Sequence, residues 1–209
     1  MKVIFLDAGH GGIDPRRDMY TTAPDKMFKH EIGEFHQGAT FLEGVKNREY
    51  CSLLHKSLTE EGITVIPVYH QWRDTPLGHR AELANKYNED IASGIYVSEH
   101  SNAANKTAKG FSVWTSIGQT KSDEYADILV DEYKETFGDD NSIRIREQDY
   151  NDGDSDYEAN FYVLRRTDMP SILIENLFFD NLEDAKKLMC EDYKVKYVEC
   201  LVRWIKKIV

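Results

Sequence analysis

The stretch Val3-Ile4-Phe5-Leu6-Asp7-Ala8-Gly9-His10-Gly11-Gly12 decides the fold. Val3–Asp7 is a short apolar, β-prone run, and a glycine-rich turn ends it. That pattern predicts a buried strand followed by a loop. Two further stretches repeat the theme. Gly94–Ser98 runs into Glu99-His100-Ser101-Asn102, and Ser171–Glu175 follows Pro170 and closes on a carboxylate. Sites in α/β sheets form beyond the carboxyl ends of parallel strands. If these three strands are parallel, His10, His100 and Glu175 come to one edge of the sheet.

Outward from these strands, Gly44–Glu61 has near-helical apolar spacing and Gly62 to stop it. Ile63–Tyr69 predicts a strand, with Pro67 marking an edge position or its end. Helices are predicted over Pro76–Ile91, Lys121–Phe137 and Leu182–Val209, and strands over Gly110–Ser116 and Tyr162–Leu164. Two long loops are expected, at about 13–42 and about 138–161. Strands alternating with helices predict an α/β fold: a mostly parallel mixed sheet with helices on both faces, a three-layer sandwich. Only about a dozen residues without a helical pattern separate Gly94–Ser98 from Gly110–Ser116, so at least one antiparallel pair is expected. The 209 residues read as one domain, 1–209, long enough to bury a core without disulfides.

The net charge of −11, from 26 Lys+Arg against 37 Asp+Glu, disfavours generic nucleic-acid binding. An anionic polymer would have to be gripped by a local site. No stretch is long and apolar enough to span a membrane, so no membrane insertion is expected. Cys51, Cys190 and Cys200 lie in helix-like stretches and read as buried thiols. The opening residues are too short for a signal peptide, so cytoplasmic synthesis is expected, and a monomer is the favoured state.

Two histidines and carboxylates at one sheet edge point to a metal. A catalytic zinc takes three protein ligands and keeps one position open. Glu43 supplies the third ligand in this reading, because a helix start can aim its carboxylate back at the edge. Glu31, Glu34 and Glu49 are rivals, Glu49 almost two turns into the helix. Glu175 is left as general base and acid. Arg165 either orients Glu175, contacts substrate, or forms a structural salt bridge. His30 and His36 are six apart with Gly33 between them, unlike the i, i+4 pair of a helical zinc motif, and read as a solvated loop. His55, His70 and His79 read as surface or loop residues. The acidic Asp139–Glu158 lacks EF-hand spacing and reads as a solvated, substrate-flanking loop.

Asp7-Ala8-Gly9-His10-Gly11-Gly12 resembles the opening motif of the zinc-dependent N-acetylmuramoyl-L-alanine amidases of the amidase_3 family. Glu43-Gly44-Val45-Lys46-Asn47 resembles that family's Glu-x-x-x-Asn helix start. Arg80-Ala81-Glu82-Leu83-Ala84-Asn85 is similar to its Arg-x-x-x-Ala-Asn helix. Ser98-Glu99-His100-Ser101-Asn102-Ala103 resembles its Ser-x-His-x-Asn-Ala strand end. The block from Asn160 through Met169-Pro170 to Glu175 resembles the one that ends in the catalytic Glu, and Asn181 and Asp184 fit the region after it. The likeness runs in order from Lys2 to about Leu188. It implies one Zn2+ on His10, Glu43 and His100, with Glu175 moving protons. It implies hydrolysis of the amide between N-acetylmuramic acid and L-alanine in peptidoglycan. The sequence departs at Glu99, where an apolar residue is common, and at Asn176-Leu177-Phe178, where x-Gly-Phe is usual. Two other readings stand beside it: a zinc peptidase acting on the stem peptide, and an inactive wall-binding module. The setting expected is a phage or prophage lysin, released to the wall through a membrane hole.

Overall fold

In the computed structural model, which describes residues 2–91, 93–147 and 153–209, β1 (Val3–Ala8) lies inside a six-stranded sheet. Two small antiparallel pairs follow it. They are β2 (Ile13–Asp14) with β3 (Met19–Tyr20), and, after one 3-10 turn at Pro24–Lys26, β4 (Met27–Lys29) with β5 (Thr40–Leu42). Then come α1 (Glu43–Glu60), β6 (Thr64–Pro67), α2 (Leu77–Ile91), β7 (Gly94–Asn102), β8 (Ser112–Thr115) and α3 (Lys121–Phe137). β9 (Tyr157–Glu158), α4 (Tyr162–Arg166), β10 (Ser171–Phe178), α5 (Leu182–Leu188) and α6 (Glu191–Ile208) complete the described chain.

The sheet order is β6-β1-β7-β10-β8-β9. The first four strands run parallel, so the carboxyl ends of β1, β7 and β10 share one edge, as expected. β6 lies at one edge of the sheet and ends on Pro67, where no ladder N–H is needed. The expected antiparallel pair exists, but β8 runs against β10 on its far side rather than against β7.

Alternation along each strand feeds two cores. Ile4, Leu6, Ile95, Val97, Ile172 and Ile174 face a large core with residues of α1, α3, α5 and α6, Trp204 among them. Val3, Phe5, Tyr96 and Leu173 face a smaller one under α2 and α4, with Ala84, Val163 and Leu164. Helices therefore cover both faces.

Several sequence expectations are corrected. The 13–42 segment is not one loop. Phe28 pairs with Phe41 across β4 and β5, and Phe41 stacks on Phe179 with ring centroids 5.9 Å apart. His30 and His36 are not solvated: His30 Nε2 lies 2.9 Å from the Phe179 carbonyl, and His36 Nδ1 accepts the Leu42 N–H at 3.0 Å. Burial drives the His36 pKa down to about 4. Tyr162–Leu164 is helical, not a strand. Val163 and Leu164 are adjacent yet both enter the same smaller core, whereas adjacent strand residues face opposite sides, and the Arg165 N–H closes the turn on the Phe161 carbonyl.

The run from Leu182 to Val209 is two helices, broken at Met189-Cys190. Lys186 and Lys187 end one and Glu191 and Asp192 begin the next, a charge order that complements two separate macrodipoles. Cys190 is consequently exposed, while Cys51 and Cys200 are buried as expected. Within the acidic segment, Ile145 bridges Phe111 and β9 pairs with β8; the loop expectation for residues 148–152 lies outside the described residues.

Candidate metal centre and catalytic edge

β1 delivers His10 in the left-handed region, at φ +64°. That backbone is costly for a residue with a Cβ and needs outside support. Two arginines provide it. The His10 carbonyl accepts from Arg48 Nη2 at 2.7 Å and from Arg80 Nη2 at 2.9 Å. Arg80 is buried on α2, donates to the Ala8 carbonyl at 2.6 Å and pairs with Asp7. The other Asp7 oxygen accepts the Tyr96 and Ser98 hydroxyls at 2.9 and 2.8 Å. Asp7 and Arg80 thus tie β1, β7 and α2 together immediately beneath the glycine turn. A Cβ on Gly9 would fall 2.2–2.5 Å from the His100 ring, so only glycine allows the turn to pass there.

Glu43 opens α1. Its Oε1 stands 3.1 Å from His10 Nε2 and 3.1 Å from His100 Nδ1. The three donor atoms lie within 4.8 Å of one another. Asn47, one helical turn on, reaches Glu43 Oε1 at 3.5 Å and the Gly9 carbonyl at 3.3 Å. α1 comes this close because position 44 is glycine: a Cβ there would sit 1.9 Å from the Gly11 carbonyl oxygen. Burial alone would raise the Glu43 pKa, but hydrogen bonds and charge from His10 and His100 outweigh it and hold the carboxyl at about 2. His100 is displaced upward in turn: burial opposes its charge, and Glu43 more than compensates.

Two imidazoles and a buried carboxylate, their atoms converging and only partly screened from solvent, suit a divalent cation of zinc's ligand preference. Glu49 instead pairs with Lys46 on the flank of α1, and Glu31 and Glu34 are exposed.

Glu175 sits opposite His100 in the parallel register of β10 and β7. Its Oε2 is shielded from solvent and has no hydrogen-bond partner. Burial, with Glu43 adding to it against His100 and Lys26, lifts its pKa to about 8. The register shifts just beyond it, and Leu177 takes φ +62° at the position where glycine was the usual residue. The bulge therefore survives without glycine, held by a fully buried Leu177 side chain. Glu99, the other departure, points into the large core. It accepts from Tyr197 at 2.8 Å and Asn176 at 3.3 Å, and burial lifts its pKa to about 8.

Arg165 is not brought to Glu175. It is exposed on α4, its guanidinium 5.5 Å from the Tyr162 ring centroid, beside a cavity of about 280 Å3 shared with Glu82 and Asp168. Asn85 bonds the Arg166 carbonyl at 2.8 Å and the Asp168 N–H at 3.0 Å, so it is a strut between α2 and the turn after α4. Asn181 caps α5. His55, His70 and His79 lie away from the donor atoms, His70 and His79 exposed. Sequence reasoning missed Arg48, which also binds the Gly44, His70 and Arg73 carbonyls. Its only signal was a buried-face position on α1 one residue after Asn47.

A parallel α/β sheet carrying a His/Glu/His donor set and a spare carboxylate at its carboxyl edge is an architecture of metal-dependent hydrolases. Comparison with known proteins narrows the class. The chain belongs to the Amidase_3 family, described as N-acetylmuramoyl-L-alanine amidase, which matches residues 4–207. It is 28% identical over 188 residues to the N-acetylmuramoyl-L-alanine amidase CwlM of Bacillus licheniformis, covering 90% of this chain and 61% of that one. An N-acetylmuramoyl-L-alanine amidase structure from Clostridium difficile 630 superposes with a TM-score of 0.74 at 25% identity, over 99% of this chain and 95% of that one. The catalytic domain of the CD27L endolysin shares the fold at 20% identity and a TM-score of 0.57, over 97% of each chain. The chain spans 34% to 62% of the length of three curated relatives it matches.

Proposed function

We propose that this chain is a zinc-dependent N-acetylmuramoyl-L-alanine amidase that hydrolyses the bond between the lactyl group of N-acetylmuramic acid and L-alanine in peptidoglycan. The observation that carries the proposal is the donor triangle of His10, Glu43 and His100 with the unpartnered Glu175 one strand away. Family membership over nearly the whole chain supports the substrate.

His10 Nε2, Glu43 Oε1 and His100 Nδ1 would hold the ion. Bound zinc supplies Lewis acidity and a water of lowered pKa. Glu175 Oε2 accepts a proton from the attacking water and later delivers it to the departing alanine amine. Burial raises its pKa, which favours the later delivery of that proton to the leaving amine. Arg48 and Arg80 hold the His10 backbone still while this happens. Arg165 is assigned to substrate contact rather than to Glu175. Residues 1–209 form the catalytic unit in this reading.

Purified peptidoglycan digested with the protein, with added zinc and in parallel with a chelator, tests this by mass spectrometry of the soluble products. Metal-dependent release of peptides beginning at L-alanine is the expected result. Cuts within the stem would make the protein a stem peptidase. Sedimentation with the wall and no release would make it a binding module.

The setting we infer is a phage or prophage lysin; the CD27L endolysin catalytic domain shares this fold. Its test is expression inside a susceptible bacterium with and without a hole-forming membrane protein. Lysis only when both are present is expected.

A further inference from the structure

A chain of polar side chains crosses the large core directly behind the catalytic edge. Asn176 Nδ2 donates to Glu99 Oε1 at 3.3 Å, and Tyr197 of α6 donates to Glu99 Oε2 at 2.8 Å. Asn176 Oδ1 accepts the Tyr193 hydroxyl at 2.5 Å. Tyr193, its hydrogen spent there, accepts that of Tyr133 on α3 at 2.9 Å. All five side chains are buried. Resting on the amidase reading above, we propose that Asn176 is a positioning residue for Glu175: clamped between Glu99 and Tyr193, it fixes the bulge in β10 that aims the Glu175 carboxyl at the donor triangle.

Glu175 stands where the regular sheet ends. It is the last residue of β10 paired with β8, opposite Ser112, and the last before the register shifts against β7. Its Oε2 has no hydrogen-bond partner, so its aim is set by the backbone on either side. Two ladders hold the side before it. The side after it is the bulge, a device that re-aims a neighbouring side chain. Leu177 takes φ +62° there, a costly conformation for a residue with a Cβ, and one that its surroundings must impose. Three anchors do so. Leu177 is fully buried, the Phe178 N–H donates to Asp184 Oδ2 at 3.0 Å, and the Asn176 amide is bonded at both ends. Asn176 alone of the three adjoins Glu175.

The polar choice follows from direction. An apolar side chain at 176 would fill space in several orientations, whereas an amide bonded at both ends keeps one. Any shift of Asn176 would strand Glu99 Oε1 and the Tyr193 hydroxyl together in the core, which is costly. The clamp also joins the two strands that matter. Glu99 precedes His100 on β7, and Asn176 follows Glu175 on β10. The Glu99 carbonyl accepts the Gly9 N–H at 2.9 Å, so the same residue touches the turn that carries His10. The spacing between Glu175 and the histidines therefore passes through the Glu99–Asn176 contact.

The test uses zinc-loaded full-length protein and two variants. Tyr193→Phe removes one hydroxyl, on α6, and Asn176→Ala removes the amide; the first carries the test if the second does not fold. Each should lower kcat for release of L-alanyl peptides by about 10–100-fold, the cost of a catalytic group misplaced by about 1 Å. KM and zinc affinity should stay within about twofold. In a Glu175→Gln background the same substitutions should lower turnover no further, because residues that act as a unit do not add. A full additional loss in that background, a change confined to KM, or an unchanged kcat would overturn the positioning role. Crystal structures of the zinc-loaded wild type and Tyr193→Phe give a readout without substrate. Displacement of the Glu175 carboxyl with His10, Glu43 and His100 in place supports the proposal, and an unmoved Glu175 overturns it. Failure of the wild type to release L-alanyl peptides would overturn the amidase reading instead, and the two structures then decide the positioning role alone.

Discussion

Glu175 faces His100 across the parallel register of β10 and β7, and its Oε2 meets no hydrogen-bond partner. Every other carboxylate at this edge is engaged, Glu43 by two imidazoles and Asp7 by Arg80. A buried acceptor left without a partner is costly, and such groups are kept where chemistry needs them. Glu175→Gln should therefore keep zinc at one ion per chain and lower turnover by about 10²–10⁴-fold, the range of general acid–base catalysis. Metal analysis beside product release checks both halves. Wild-type turnover in this variant would remove Glu175 from the reaction.

The donor triangle makes its own prediction. Glu43→Gln removes the carboxylate of the proposed donor set, and Asn47→Ala removes the amide that hydrogen-bonds it. Asn47→Ala should weaken zinc by about 10–100-fold, as loss of an outer-shell partner does, and Glu43→Gln by more. Competition against a chromophoric chelator measures this. Added zinc should raise the melting temperature of the wild type and leave Glu43→Gln unmoved. Equal zinc affinity in all three proteins would place the ion elsewhere.

The parallel core and the placement of three candidate residues, His10, His100 and Glu175, were legible because each lies just past, or at the end of, a short apolar run, and strand direction alone carries them to one edge. Glu43 was legible from its place at a helix start. The segment from Ile13 to Leu42 was not, because its packing is made by contacts far apart in sequence, such as Phe41 on Phe179 and His30 on the Phe179 carbonyl. No local period records those. Tyr162–Leu164 was misread because three apolar or aromatic residues carry no period at all; the adjacent burial of Val163 and Leu164 appears only once α2 lies over them. Arg48 escaped because a cation on a helix usually faces water, whereas here it fills the turn after β1 with five backbone carbonyls as partners.

Gly9 tests the packing of the turn against His100. In Gly9→Ala the new methyl would overlap the His100 ring, at 2.2–2.5 Å, and one of the two must move. The fold retains β1 and β7, so the imidazole is displaced. Zinc affinity should drop at least tenfold while far-ultraviolet circular dichroism stays native. Unchanged zinc affinity would mean that the turn, not His100, yields.

Arg80 is buried with Asp7, and truncating one partner strands the other. Arg80→Met should cost about 3–5 kcal/mol, the usual penalty for leaving a buried charge unpaired. In a chain of this size that lowers the melting temperature by roughly 10 °C. Urea unfolding in chelator separates this loss from any loss of metal. A change below about 1 kcal/mol would show that the Tyr96 and Ser98 hydroxyls suffice for Asp7.

Asp156 gives the fold a pH dependence that does not involve His10, Glu43 or His100. It is fully buried between β8 and β9, accepts the Thr115 hydroxyl at 2.6 Å, and is lifted to about 7 by burial and by Asp154, Asp123 and Asp127. Because the folded state holds this proton more tightly than the unfolded chain, with its value near 3.8, folding takes up a proton between those pH values. The stabilising contribution is complete below about pH 4 and is lost as pH rises through about 7. Asp156→Asn keeps the acceptor for Thr115 and cannot ionise. The variant should gain on the wild type as pH rises from 4 to 8, by at least about 1 kcal/mol at pH 8. Urea unfolding of both proteins in chelator across that range measures the difference directly. Parallel curves for the two would show that Asp156 titrates normally in the folded protein.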